Sequence, residues 1–146
     1  MKNLANVAAS EKTNTAESLN EAAEKIKRKG LVIIISDFFD DINSVLKALK
    51  HFSYKKNEVI VFQILDPMEK TFSFGKDAIF KDLETGYELT TQPYQIQKAY
   101  REAMREFTDR IKRECLNSNI DYNLIETSDP YDKALFRYIQ KREKLY

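Results

Sequence analysis

Two runs of this chain, LVIIIS at 31–36 and VIVFQIL at 59–65, are apolar without the alternation that marks a half-exposed strand. A strand reads this way when both of its faces are covered, as in a parallel sheet with helices on either side. A third strand is predicted at YNLIET, 122–127. Around these runs the apolar spacing changes to the helical period. Leu19, Ala22, Ala23 and Ile26 share one face of a helix predicted over 13–30, and Asn14 and Glu17 have the spacing of a capping box. Ile42, Val45, Leu46, Leu49 and Phe52 form the stripe of a second helix, capped by Asp40 or Asp41. Ile96, Tyr100, Ala103, Phe107 and Ile111 mark a long third helix that starts at Pro93 and ends near Asn117 to Asn119. Asp129-Pro130 opens a terminal helix whose buried side is Tyr131, Ala134, Leu135, Tyr138 and Ile139. IFKDLETGYEL has two β-prone arms around Glu84-Thr85-Gly86, which predicts a hairpin inserted over 78–90.

Helices alternating with apolar strands give an α/β class: a partial doubly wound, Rossmann-like parallel sheet with helices on both faces and an inserted hairpin. With 146 residues, 42% of them hydrophobic, and only 3 Gly and 3 Pro, residues 1–146 suit a single domain with a real core. A net charge of +1 supplies no global field toward nucleic acid or an anionic membrane, so any partner has to be recognised locally. The cations at Lys25, Lys27, Arg28 and Lys29 are read as complementing the dipole of a helix end. Those at Arg101, Arg105, Arg110, Lys112 and Arg113 interleave with Glu102, Glu106, Asp109 and Glu114, the pattern of a solvated helix face and not of a nucleic-acid surface. One cysteine, Cys115, rules out an internal disulfide and fits a reducing compartment. No apolar run approaches the roughly 20 residues of a membrane span, and MKNLANVAASEK lacks the apolar core of a signal peptide, so the expected location is the cytoplasm.

In doubly wound sheets ligands sit at the carboxyl ends of the strands. Asp37, Asp40, Asp41, Asp66 and Thr127-Ser128-Asp129 all fall on that edge. Carboxylates gathered there suit a hard cation such as Mg²⁺, whereas helix capping accounts for Asp40, Asp41 and Asp129 without any ligand. Asp37 directly follows the most apolar strand, where an acid needs a donor, a partner or a metal. A Mg²⁺-dependent phosphoryl-transfer or receiver-like domain is the alternative function at this edge. The spacing of Asp37 and Asp40 misses the Asp-x-Asp pattern of phosphohydrolases, and no glycine-rich phosphate loop is present. His51 and Cys115 lack the neighbours that would make a nucleophilic dyad, and both are read as structural.

The runs KTNTAESLNEAAEKIKRKGLVIIISDFFDD, EVIVFQILDPMEKTFSF, FKDLETGYEL, AYREAM and IDYNLIETSDPYDKAL together resemble the C-terminal half of the domain-of-unknown-function 58 family, nearly end to end. The resemblance implies a von Willebrand factor A-like domain. Such domains hold a divalent ion through an Asp-x-Ser-x-Ser motif after the first strand, a loop threonine and an aspartate after a later strand. KTNT matches the threonine at Thr13, and ISD matches the aspartate at Asp37. Nothing matches Asp-x-Ser-x-Ser, so the resemblance implies an incomplete metal site with weak or absent Mg²⁺ binding. It also implies a truncated domain in which residues 1–12 are a remnant of the upstream part. The function implied is a non-enzymatic protein-interaction module whose partner is a MoxR-type AAA+ ATPase, with Asp40, Asp41 and Asp66 on the binding edge. In that topology LVIIIS lies beside the absent first strand, and the bare strand edge has to be covered by self-pairing of two chains, by a swapped N-terminal segment or by docking onto a separately made N-terminal half, of which the homodimer is favoured.

Overall fold

The computed structural model of the chain describes residues 14–72, 78–81, 88–91 and 93–143. Helix α1 (Thr15–Lys25) leads into strand β1 (Leu31–Ser36), which is followed by α2 (Ile42–Tyr54), β2 (Glu58–Leu65) and the short helix α3 (Pro67–Thr71). Strands β3 (Ala78–Lys81) and β4 (Glu88–Thr91) pair antiparallel, as the hairpin pattern predicts, with Phe80 level with Leu89. The predicted turn at Glu84-Thr85-Gly86 lies outside the described residues. Helix α4 (Pro93–Asn117), strand β5 (Asp121–Glu126) and helix α5 (Tyr131–Glu143) complete the order.

The three long strands form one sheet in the order β1-β2-β5, parallel throughout, so the α/β class with a partial doubly wound sheet is observed. Side chains alternate across a sheet, and the register therefore assigns two faces. Ile34, Val59, Val61 and Tyr122 share the face that packs against α1, α2 and α4, in one core with Ala16, Ala23, Val45, Leu46, Leu49, Phe52, Ile111, Cys115 and Ile120. On the opposite face Ile60 and Phe62 of the central strand are buried, and the Phe62 ring meets Tyr138 of α5 edge-on at 5.4 Å.

Coverage of both faces therefore holds for β2 but not for β1. Leu31, Ile33 and Ile35 are 51%, 52% and 67% exposed, because β1 is the sheet's edge and, among the described residues, no helix lies over its outer face. An apolar run without alternation reports side-chain chemistry, and which strand sits centrally is decided by tertiary order. A second correction concerns α5. Leu135 and Ile139, expected on its buried side, are 47% and 51% exposed, while Tyr138 is the partly buried contact; the side chains of Tyr131 and Ala134 lie outside the described residues. On α4, Met104 and Ile111 are buried and Phe107 half-buried, while Ala103 points to solvent. The side chain of Ile96 lies outside the described residues.

The third correction is at the end of α1. The helix stops at Lys25 instead of running to Gly30, and only Lys25 stands in its last turn, paired with Glu21 at 3.1 Å. The end of α1 is capped from elsewhere: Lys55 Nζ donates to the Ala23 carbonyl at 2.6 Å. Lys27, Arg28 and Lys29 are exposed on the connection to β1 and have no acidic partner among the described residues, so the helix dipole does not account for them. Asn57 fixes that connection, accepting from Gly30 N at 3.1 Å and donating to the Phe52 carbonyl at 3.2 Å.

Candidate functional site

The carboxyl edge of the sheet is built where three strands end in polar residues. At the end of β1 the chain makes a tight, internally bonded loop. Ser36 Oγ accepts from Phe38 N at 3.0 Å, and Asp37 Oδ1 accepts from Phe39 N at 3.2 Å. Phe38 has a left-handed backbone, φ 63°, which an aromatic residue adopts only when its surroundings hold it there. Its ring is fully buried in the core, so packing holds the loop from below while Asp37 and Phe39 stay exposed. Phe39 leans on Phe107 of α4, with ring centroids 5.8 Å apart.

Beneath the loop lies Gln63, a fully buried polar residue in the centre of β2. Its Nε2 donates to the Asp37 carbonyl at 3.1 Å, and its Oε1 accepts from Tyr122 Oη at 2.7 Å. One side chain thereby links all three strands of the sheet, through the residue after β1, β2 itself and Tyr122 near the start of β5. Burial pushes the Tyr122 phenol well up, so it stays a donor across the ordinary pH range. The sequence signal for Gln63 is the lone amide inside VIVFQIL, since a polar group buried there has to be bonded.

The acids of the edge are mostly engaged by backbone donors. Asp41 is the N-cap of α2, accepting from Ser44 N at 2.9 Å, and its bonds from Ser44 hold its carboxyl below the usual carboxylate range. Asp40 reaches back to α1, accepting from Ala16 N at 3.3 Å and from Asp41 N at 2.7 Å. Asp66, after β2, caps α3 through Met68 N at 2.8 Å and also accepts from Thr127 Oγ1 at 2.8 Å, while Glu69 returns a bond from Asp66 N at 2.9 Å. Asp-Pro-x-Glu at 66–69 is thus a capping box with proline at the first helical position. It opens α3, a helix that the spacing of apolar residues alone does not predict.

Of the sequence-predicted site residues, Asp37, Asp40 and Asp41 share one loop, and Asp66 lies at the end of the neighbouring strand. Thr13 lies outside the described residues. Among the described residues no group of three or more His, Cys, Asp or Glu is placed to hold a metal ion. The donor set among the described residues does not offer a divalent cation the several oxygens converging on one point that it needs. Both carboxylate oxygens of Asp40 and of Asp66 already face protein donors.

Cys115 is buried on α4, and desolvation pushes its thiol up to about 12, which keeps it protonated and unreactive. His51 faces Glu24 across the junction of α1 and α2, at 3.3 Å. On α4, Arg101 Nε donates to the Thr71 carbonyl at 2.6 Å and Lys50 of α2 pairs with Glu114 at 2.7 Å, so part of this helix's charge serves packing. No helix among the described residues is long and apolar enough to cross a membrane.

Against known proteins, the family model described as Protein of unknown function DUF58 matches residues 1–110. No curated protein and no solved structure matches the chain.

Proposed function

Because the chain belongs to the family described as Protein of unknown function DUF58, we propose that it is a non-enzymatic protein-interaction module of the von Willebrand A-like type, acting in the cytoplasm with a MoxR-type AAA+ ATPase as partner. The observation that carries this reading is the loop after β1. It is locked by Ser36, Asp37, Gln63 and the buried Phe38, and it presents the 46%-exposed ring of Phe39 between Asp37 and Asp40. A preformed loop loses little conformational freedom on binding, and an aromatic ring rimmed by charge is the usual anchor of a protein interface. The carboxylates act in this reading as struts and as a charged rim, with Mg²⁺ bound weakly or not at all.

The test is binding of the purified chain to a MoxR-type AAA+ ATPase of the same organism, followed by interferometry. Saturable binding is expected, weakened at least tenfold in Phe39→Ala while circular dichroism stays unchanged. Undiminished binding of Phe39→Ala, or none by the native chain, would remove the reading. For the metal, calorimetric titration with Mg²⁺ is expected to give no saturation below about 1 mM. Tighter binding that disappears in Asp37→Asn would restore a working ion site. Turnover of a phosphorylated substrate lost in that variant would replace the interaction module with a phosphoryl-transfer enzyme.

A further inference from the structure

Along a strand the backbone N–H and C=O of successive residues point alternately to the two sides. The Gly30 carbonyl accepts from Glu58 N at 2.9 Å, and Leu31 stands level with Glu58. Gly30, Val32, Ile34 and Ser36 therefore direct their backbone groups toward β2, and Leu31, Ile33 and Ile35 direct theirs outward, along a sheet edge that has no neighbouring strand among the described residues. The same three residues carry the exposed apolar side chains of β1. Within Leu31–Ser36 there is no proline and no charge, the devices that ordinarily blunt an edge. Charge instead sits at the two ends with opposite sign: Lys27, Arg28 and Lys29 before the strand, Asp37, Asp40 and Asp41 after it.

A sequence that runs from cationic through apolar to anionic is complementary to itself when reversed. We propose that β1 pairs antiparallel with β1 of a second copy of this chain, about a two-fold axis normal to the sheet that passes midway between the two Ile33 residues. Such an axis keeps each face of the sheet on its own side, so outward-facing residues must meet outward-facing residues. With the axis at Ile33, Leu31 lies opposite Ile35 of the second copy and Ile33 opposite its own mate. All three outward residues then exchange backbone bonds, and their side chains pack in a row on the open face. The register also brings Lys29 level with Asp37 of the second copy, at both ends. A register centred on Ile34 would set Leu31 against Asp37, whose carbonyl is already taken by Gln63, and would move Lys29 away from that carboxylate. A parallel pairing would stack like charges together.

The paired surface is small, so the dimer should form and dissociate with concentration. Light scattering after size exclusion on the full chain, across a concentration series, is expected to show a mass rising to twice that of the chain. Ile33→Lys sets two ammonium groups side by side at the axis, roughly 5.5 Å apart at the backbone, and is expected to leave only monomer. Asp37→Lys is expected to weaken dimerisation at least tenfold. The exchange Lys29→Asp with Asp37→Lys is expected to restore it to within threefold, which no general effect on folding would do. A native chain monomeric at every concentration would overturn the proposal, since another segment or another protein then covers the edge. A dimer that survives Ile33→Lys would overturn it too, by placing the contact elsewhere. Should Ile33→Lys fail to fold, the charge exchange alone decides.

Discussion

The most constrained residue of the molecule is Gln63. An amide in the middle of a parallel strand carries a desolvation cost that only two good bonds offset, and it has them, to Tyr122 Oη and to the Asp37 carbonyl. The consequence reaches the surface, because the Asp37 carbonyl is the hinge of the loop that displays Phe39. Removing the Tyr122 hydroxyl leaves a buried acceptor without its donor. Tyr122→Phe is therefore expected to lower the free energy of unfolding by about 1–3 kcal/mol, measured by urea denaturation, and to raise the exchange rate of the loop amides at Phe38 and Phe39. A neutral Tyr122→Phe would mean that Gln63 finds another donor and does not pin the loop.

At the scale of elements, the caps decide where helices begin, and they are where sequence and structure agree best. Asn14 accepts from Glu17 N at 3.0 Å, and Asp41 accepts from Ser44 N; both were legible because a cap is a contact between residues a few positions apart. The tie of Asp40 to α1 was not legible, since the donor there, Ala16 N, is 24 positions away. The same contrast separates the strands from their exposure. Where β1 and β2 lie was readable from local composition, but that one is an edge and the other central depends on β5, which follows far along the chain. For Asp41 the capping bonds lower the folded-state pKa, so the stabilisation is full above the unfolded-state pKa and is lost as pH falls through the folded one. Asp41→Ala is expected to lower the thermal unfolding midpoint at neutral pH. The gap to the native chain should narrow as pH drops below the ordinary aspartate range, read from thermal unfolding at a series of pH values. A gap constant down to strongly acidic pH would show that the cap does not depend on the carboxylate's charge.

The whole molecule is built unequally about its sheet. One face carries α1, α2 and α4 and a continuous core in which Val45, Val61, Ile111 and Cys115 are fully buried. On the other face the central residues Ile60 and Phe62 are covered, with Tyr138 as a ring contact from α5, while among the described residues the β1 side is open and Leu135, Phe136 and Ile139 of α5 face outward. Stability should therefore reside on the packed face, and the open face is the one available for association of two copies. Truncating a fully enclosed side chain leaves a cavity its neighbours cannot fill, so Ile111→Ala is expected to cost about 2–5 kcal/mol. Tyr138 is half-buried and meets Phe62 edge-on, so Tyr138→Ala is expected to cost less than Ile111→Ala. Urea denaturation of the two variants under one condition checks the ratio. Equal costs would mean that α5 is as much a part of the core as α4, and that the second face is a packed layer in its own right instead of a surface left for a partner.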